Sequence, residues 1–296
     1  MTTRPDTVLT ILNAASTWLA ARGVDAPRRS VELLMGRVLG LGRLELYLAH
    51  DRPLSEDERS RLRGLVARRA EHEPLAHLLG DWEFFGHELE VGPAVLIPRP
   101  ETEGLVELAL ASLPAHAPRI ADLGTGSGAI AIALALARAD AQVVAVDVSV
   151  EAIAVARRNV ERHGLTGRVL LRIGSWWEPL RGEEPFDMVV SNPPYCDPAR
   201  EADVAADVRR FEPALALWSP RGEPQAHYAT IGAGAREHLR SGGRLLFETG
   251  LGAADAARDA LRVMPHLIDV ELRDDLEGRP RYLLATRGGA SALTPR

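Results

Sequence analysis

The chain has 296 residues, 46% of them hydrophobic and 26% charged, which suits ordinary globular structure and leaves room for two domains. Net charge is −6, and the first 80 residues hold twelve arginines against ten acids, so no segment has the strongly basic surface that tight nucleic-acid binding needs. No run of 18 apolar residues occurs, no apolar signal core follows Arg4-Pro5-Asp6, and a single cysteine, Cys196, excludes an internal disulfide; a cytoplasmic protein without membrane or direct nucleic-acid binding is expected.

The N-terminal segment reads as short helices. Val8, Leu9, Ile11, Leu12, Ala15, Trp18 and Leu19 form an apolar stripe that ends at Gly23. A second stripe, Val31, Leu33, Leu34, Val38 and Leu39, is broken by Gly40 and Gly42, and a short stretch covers Leu44 to Leu48. Ser55-Glu56-Asp57-Glu58 has the form of a capping box opening a helix over Leu62, Leu65 and Val66. Helices this short are marginal alone, so residues 1–79 are expected to form an all-α bundle. An extra domain ahead of a catalytic unit suits recognition of a large substrate.

Residues 80–100 carry Trp82, Phe84, Phe85, Leu89, Val91, Val95 and Ile97 with glycines between them, which predicts a β-hairpin linker. Pro98-Arg99-Pro100 closes it, and a helix over 101–112 opens on Glu101 and Glu103, acids that favour a helix N-terminus. From 118 onward strand and helix patterns alternate, the signature of an α/β doubly wound, mostly parallel sheet within a domain spanning 101–296. Seven strands are expected, near 118–122, 142–147, 168–173, 186–191, 243–248, 267–273 and 280–286. Helices are expected near 128–138, 149–163, 225–240 and 253–263, and Gly288 to Arg296 reads as a frayed tail.

Two loops at strand ends carry the chemistry. Gly124-Thr125-Gly126-Ser127-Gly128 sits between an apolar strand and an Ala/Ile/Leu helix, where glycines let backbone approach a ligand at a helix N-terminus. Its third glycine arrives one residue earlier than in the dinucleotide fingerprint. About twenty residues on, Gln142-Val143-Val144-Ala145-Val146-Asp147 is a strand ending in an acid. Asp147 there can accept the two ribose hydroxyls of an adenosine, or it can serve the N-terminus of the next helix.

The second loop is Asn192-Pro193-Pro194-Tyr195, after the buried run Phe186 to Ser191. Two prolines fix its backbone and remove two N–H donors, leaving carbonyls without local partners. Asn192 adds a side-chain carbonyl and Tyr195 a flat ring, so the loop suits a planar –NH2 group as acceptor. Trp176, in Gly174-Ser175-Trp176-Trp177, can stack on an adenine or pack on the sheet edge; Trp177 reads as core. Nine histidines show no metal-ligand spacing, and no metal is expected. Cys196 follows the loop without a role that needs a thiolate. Arg99, Arg209, Arg210 and Glu212 suit either a cover over the substrate or a solvated surface.

Taken together, these motifs resemble class I S-adenosylmethionine-dependent methyltransferases with the Asn-Pro-Pro-Tyr signature. Glu73 to Gly80, Trp82 to Gly86, Leu96 to Glu103, Asp207 to Pro213, Phe247 to Gly250 and Asp275 to Arg281 narrow the resemblance to the PrmC/HemK family. That family methylates the glutamine of the Gly-Gly-Gln motif in peptide-chain release factors. The resemblance spans nearly the whole chain and implies a Rossmann-like catalytic domain, S-adenosyl-L-methionine as cofactor and release factors as partners. Carried onto this sequence, it puts Gly124, Thr125, Gly126, Ser127, Gly128, Asp147, Trp176 and Asn192 at the cofactor. It puts Asn192, Pro193, Pro194 and Tyr195 at the substrate, with Asn192, Pro193 and Tyr195 catalytic. Two positions depart from the family's usual pattern: His77 replaces an aromatic, and Ser175 replaces an acid that could bind the adenine amine. The alternatives that the residues leave open are an exocyclic-amine methyltransferase of adenine or cytosine in nucleic acid, and a non-catalytic nucleotide-binding module.

Overall fold

Capped helices build the N-terminal segment. α1 (Val8–Ala20) starts at Thr7, whose hydroxyl accepts the Thr10 N–H, and α4 (Glu56–Ala70) starts at Ser55. There the capping box forms as its sequence predicts: Ser55 Oγ accepts the Glu58 N–H at 3.2 Å, and the Glu58 carboxylate accepts the Ser55 N–H at 2.8 Å. α2 (Pro27–Leu39), α3 (Arg43–Leu48) and α5 (Leu75–Leu79) complete the bundle. Their stripes meet in one core that includes Leu12, Leu19, Val31, Leu34, Leu46, Leu62 and Val66. The computed structural model describes residues 6–250 and 252–289, and these divide into this unit, ending at Asp81, and a second starting at Trp82. Most of the expected tail, from residue 290, and the segment before Asp6 lie outside the described residues.

The hairpin is shorter than the sequence pattern suggests. β1 (Asp81–Phe84) and β2 (His87–Glu90) pair across Phe85 and Gly86, both at positive φ (51° and 73°), as a tight two-residue turn requires. Pairing stops after Glu90 because Gly92 and Pro93 follow, and proline has no N–H for the ladder. Val91, Val95 and Ile97 are nonetheless buried, so their hydrophobicity serves packing and not strand pairing.

The rest of the second unit is the α/β sheet. In chain order it runs α6 (Pro100–Ser112), β3 (Arg119–Leu123), α7 (Ala129–Ala137), β4 (Gln142–Asp147), α8 (Val150–Arg162), β5 (Val169–Ile173) and β6 (Phe186–Ser191). It continues with α9 (Ala206–Phe211), α10 (Ala214–Leu217), α11 (Ala226–His238), β7 (Leu239–Glu248), α12 (Ala254–Arg262), β8 (Leu267–Asp274) and β9 (Pro280–Arg287). The seven strands lie in the order β5-β4-β3-β6-β7-β9-β8, with β9 antiparallel to both neighbours and the other pairings parallel.

Strand alternation divides the core in two. Ile120, Val143, Ala145, Met188, Val190 and Leu246 pack with residues of α6 and α7. Ala121, Val144, Val146, Val189, Leu245 and Phe247 face the other way, toward Tyr228, Ile231, Ala235, Ala257 and Leu261 of α11 and α12. Strand order reverses between β3 and β6, and ligands of such sheets bind beyond the carboxyl ends of the strands at that crevice. Among the described residues no helix is long and apolar enough to cross a membrane.

Candidate active site

At the carboxyl end of β3 the chain turns sharply. The Gly124 and Thr125 N–H groups both donate to the Val146 carbonyl of β4, at 2.8 and 2.9 Å. Gly124, Gly126 and Gly128 all have left-handed φ values (79°, 56° and 84°), which glycine adopts without a Cβ penalty. At Gly128 a Cβ would also stand 3.2 Å from Ile132 Cδ1, so the loop and α7 need glycine for packing as well. Asn159 of α8, fully buried, holds the loop from behind: its Nδ2 donates to the Ser127 carbonyl and the Glu90 carbonyl at 2.9 Å each, and its Oδ1 accepts the Glu90 N–H at 2.7 Å.

Two carboxyls flank this loop. Asp122 lies beneath it, and its Oδ2 accepts the Thr125 hydroxyl at 2.6 Å and the Ala131 N–H at 3.2 Å. Burial pushes its pKa up to about 7, and its Oδ1 has no hydrogen-bond partner among the described residues. Asp147 caps β4: Oδ2 accepts the Gly126 N–H and Oδ1 the Ser149 N–H, each at 2.9 Å. Burial raises its pKa, and these backbone donors oppose the rise. Asp147 therefore braces both the glycine loop and the turn into α8, while each oxygen retains acceptor capacity toward the cavity it lines.

That cavity has a volume of about 460 Å³, within the range of small-molecule sites. Gly124, Thr125, Gly126, Ser127, Asp147, Trp176, Asn192 and Pro194 line it, together with Thr102, Ser175 and His227. Gly128, Pro193 and Tyr195 are not part of its wall. Trp176 sits at φ 46°, unusual for a bulky residue. Its ring lies where a Cβ on Gly124 would come within 3.6 Å, and its centroid is 5.3 Å from that of His227. Trp177 turns away: it stacks on His238 at 4.6 Å and donates from Nε1 to the Ile231 carbonyl at 3.1 Å.

The acceptor loop is anchored by the residue before it. Ser191, fully buried, donates from Oγ to the Leu123 carbonyl at 2.5 Å, tying the end of β6 to the end of β3. Asn192 Nδ2 donates to Thr102 Oγ1 at 3.4 Å, and Thr102 Oγ1 donates to Glu248 Oε2 at 2.6 Å. Burial pushes the Glu248 carboxyl up to about 7, with Thr102, Arg281 and Asn192 pulling the other way. Pro193 is buried, and the Tyr195 ring rests on Gly250, where a Cβ would fall 2.6 Å from Tyr195 Cε2. Burial raises the Tyr195 phenol well above its ordinary value, so it stays neutral.

Beyond the loop, Pro213, Leu215 and Ala216, at the start of and within α10, line one side of the cavity, and α9 precedes them in the chain. Buried Glu212 accepts the Ile97 N–H at 2.9 Å and bonds the Arg99 guanidinium, fastening the Val95–Pro98 wall to the Pro213–Ala216 wall. Arg209 instead pairs with Glu201 on the surface. Thr102, Asn159 and Glu248 were not singled out by the sequence. Thr102 and Glu248 fall inside quoted motifs, yet no local pattern links a helix start to a strand end 146 residues away. Among the described residues no group of three or more His, Cys, Asp or Glu could hold a metal ion.

A glycine loop and a strand-end acid beside an Asn-Pro-Pro-Tyr loop, on a sheet with one antiparallel strand, define a class I S-adenosylmethionine-dependent methyltransferase fold. A methyltransferase structure from Pyrococcus furiosus shares that fold, with a TM-score of 0.50 at 19% identity over 70% of this chain and 91% of its own. Two family models match, the PrmC N-terminal domain over residues 10–80 and the methyltransferase small domain over residues 105–223. The release factor glutamine methyltransferase of Geobacter sulfurreducens is 45% identical over 86% of this chain and 89% of its own. That of Chlorobaculum tepidum is 41% identical over 93% and 96%, and that of Salmonella typhimurium 42% over 88% and 92%. The chain belongs to the release factor glutamine methyltransferase family.

Proposed function

We propose that this chain transfers a methyl group from S-adenosyl-L-methionine to the side-chain amide nitrogen of the Gly-Gly-Gln glutamine in peptide-chain release factors. The observation that carries the reading is Asn192, held at the end of β6 with its amide nitrogen turned to Thr102, beside a cavity that also takes in the glycine loop and Asp147. The residues fit the cofactor. Asp147 suits ribose hydroxyls, the loop N–H groups at the start of α7 suit a carboxylate, and the Trp176 face suits a purine. Ser175 offers no carboxylate to the adenine amine, so in this reading the adenine is held mainly by Trp176.

Bound S-adenosylmethionine supplies an electrophilic methyl, and the protein's task is to place the nucleophile in line with it. An amide nitrogen is a weak nucleophile because its lone pair is delocalised. Asn192 Oδ1 and the Pro193 carbonyl accept the two N–H bonds of the glutamine amide and so aim the nitrogen. Positive charge developing on that nitrogen strengthens both bonds, so they favour the transition state over the ground state. Tyr195, seated on Gly250, borders the amide plane, and Pro194 shapes the loop. The proton leaves the methylated nitrogen for water, and no residue has to act as base.

In the same reading, the chain works in the cytoplasm, and the N-terminal unit grips the release factor without entering the chemistry. The test is mass spectrometry of a purified release factor after incubation with the enzyme and S-adenosylmethionine. A 14 Da gain on the Gly-Gly-Gln glutamine supports the proposal; methyl appearing only on DNA or RNA, or nowhere, overturns it. Asn192→Ala should lower kcat by about a hundredfold or more while leaving cofactor affinity near wild type.

A further inference from the structure

We propose that Thr102 and Glu248 are positioning residues that fix which way the Asn192 amide faces. The inference rests on the function proposed above. A carboxamide has nearly the same shape in its two flipped orientations, and only its hydrogen-bond partners decide between them. If Asn192 turned over, an NH2 group would face the substrate amide and repel the N–H bonds that the loop must accept.

With Glu248 in its charged form, the partners leave one choice. The Thr102 hydroxyl has a single proton and gives it to Glu248 Oε2 at 2.6 Å. Its oxygen can then only accept, and the Asn192 atom next to it, at 3.4 Å, must be the donor nitrogen. Oδ1 is thereby left for the cavity. Glu248 is 2% exposed and Thr102 5%, so water does not compete for either group. The Glu248 carboxyl also draws directly on the Asn192 amide, which helps to hold its charged form. Order along the chain thus runs from a buried acceptor, through a hydroxyl, to the amide that meets the substrate. Threonine at the third position of α6 is required for its hydroxyl, and glutamate at the end of β7 for its acceptor-only carboxylate.

The experiment uses the full-length enzyme with a release factor. Thr102→Val keeps the shape and removes the hydroxyl. We expect kcat to fall at least tenfold, with the dissociation constants of S-adenosylmethionine and S-adenosylhomocysteine within twofold of wild type. Thr102→Ser, which restores a hydroxyl, should recover most of the rate. In an Asn192→Ala background, Thr102→Val should change kcat less than twofold, because the amide it orients is gone. An unchanged kcat for Thr102→Val, or the same loss in both backgrounds, overturns the proposal. If Thr102→Val does not fold, Glu248→Gln in the two backgrounds is read by the same criteria. A wild-type enzyme that fails to methylate release factor refutes the functional reading itself, which separates the two failures.

Discussion

Glu212 joins the two walls of the cavity, and cutting it out should cost both stability and efficiency. Its side chain is 1% exposed, and it serves the Ile97 N–H at 2.9 Å and the Arg99 guanidinium. In Glu212→Ala the Ile97 N–H loses its acceptor in a buried setting, which costs about 1–3 kcal/mol. Arg99 is 33% exposed and can turn to water, so the lost ion pair adds only about 0–1 kcal/mol. A total of roughly 1–4 kcal/mol in a domain of this size lowers the melting temperature by about 2–16 °C. Freed from each other, the Val95–Pro98 and Pro213–Ala216 walls no longer frame the acceptor loop, and kcat/KM for release factor should drop about tenfold or more. Glu212→Gln retains an oxygen for the Ile97 N–H and should recover much of the stability. Differential scanning calorimetry and steady-state methylation measure both effects. An Ala variant with wild-type melting temperature and kcat/KM would show that the walls hold their places without the carboxylate.

Asp147→Ala should weaken S-adenosylmethionine binding by about 1–3 kcal/mol, partly through its lost braces to Gly126 and Ser149; calorimetry giving an unchanged Kd refutes the assignment. Glu248 has a folded pKa of about 7 against an ordinary 4.5, so the stability its neutral form confers is full below about pH 4.5 and is lost as pH rises through 7. Relative to Glu248→Gln, wild type should lose up to about 3 kcal/mol across that window; Asp122, also raised to about 7, titrates in both proteins and cancels in the difference. Parallel urea-unfolding stabilities from pH 4.5 to 8 would refute this. A fragment beginning at Trp82 retains every residue of the cavity wall and should bind S-adenosylmethionine. It should lose far more kcat/KM on intact release factor than on a Gly-Gly-Gln peptide; equal losses would assign the N-terminal unit a purely structural role.

Elements with strong local signals were legible. The strand and helix expectations after residue 118 follow the observed elements closely, because buried parallel strands are continuous apolar runs closed by glycine, proline or an acid. The capping box at Ser55 is likewise local chemistry. The extent of the hairpin was misjudged, since hydrophobicity at Val95 and Ile97 marks burial without saying whether the backbone pairs. Pro93 was the available correction. α9 and α10 escaped the sequence reading because each is a turn or two, too short for periodicity to register. At the site, the sequence indicates which residue types gather at strand ends. It does not indicate what stands behind them: the Asn159 and Thr102–Glu248 contacts join positions 69 and 146 residues apart, which only the folded sheet brings together.

β3 explains why loops so far apart in sequence can share one geometry. Four of its five residues are buried, and it pairs with β4 on one side and β6 on the other. Asp147, the last residue of β4, reaches back to the Gly126 N–H just past β3, and Ser191, the last residue of β6, bonds the Leu123 carbonyl that ends β3. The acid proposed for the cofactor and the amide proposed for the substrate are therefore referenced to the same strand end, not to flexible connections. Register in the sheet sets their spacing, and slipping either strand by one residue would turn its core side chains to the wrong face. Methyl transfer depends on alignment more than on acid or base strength, so the rigidity of a buried central strand is the property the chemistry uses. The carboxylates that brace this region, Asp122, Asp147 and Glu248, are accordingly spent on holding backbone and side-chain donors, and none has to take up the proton of the reaction.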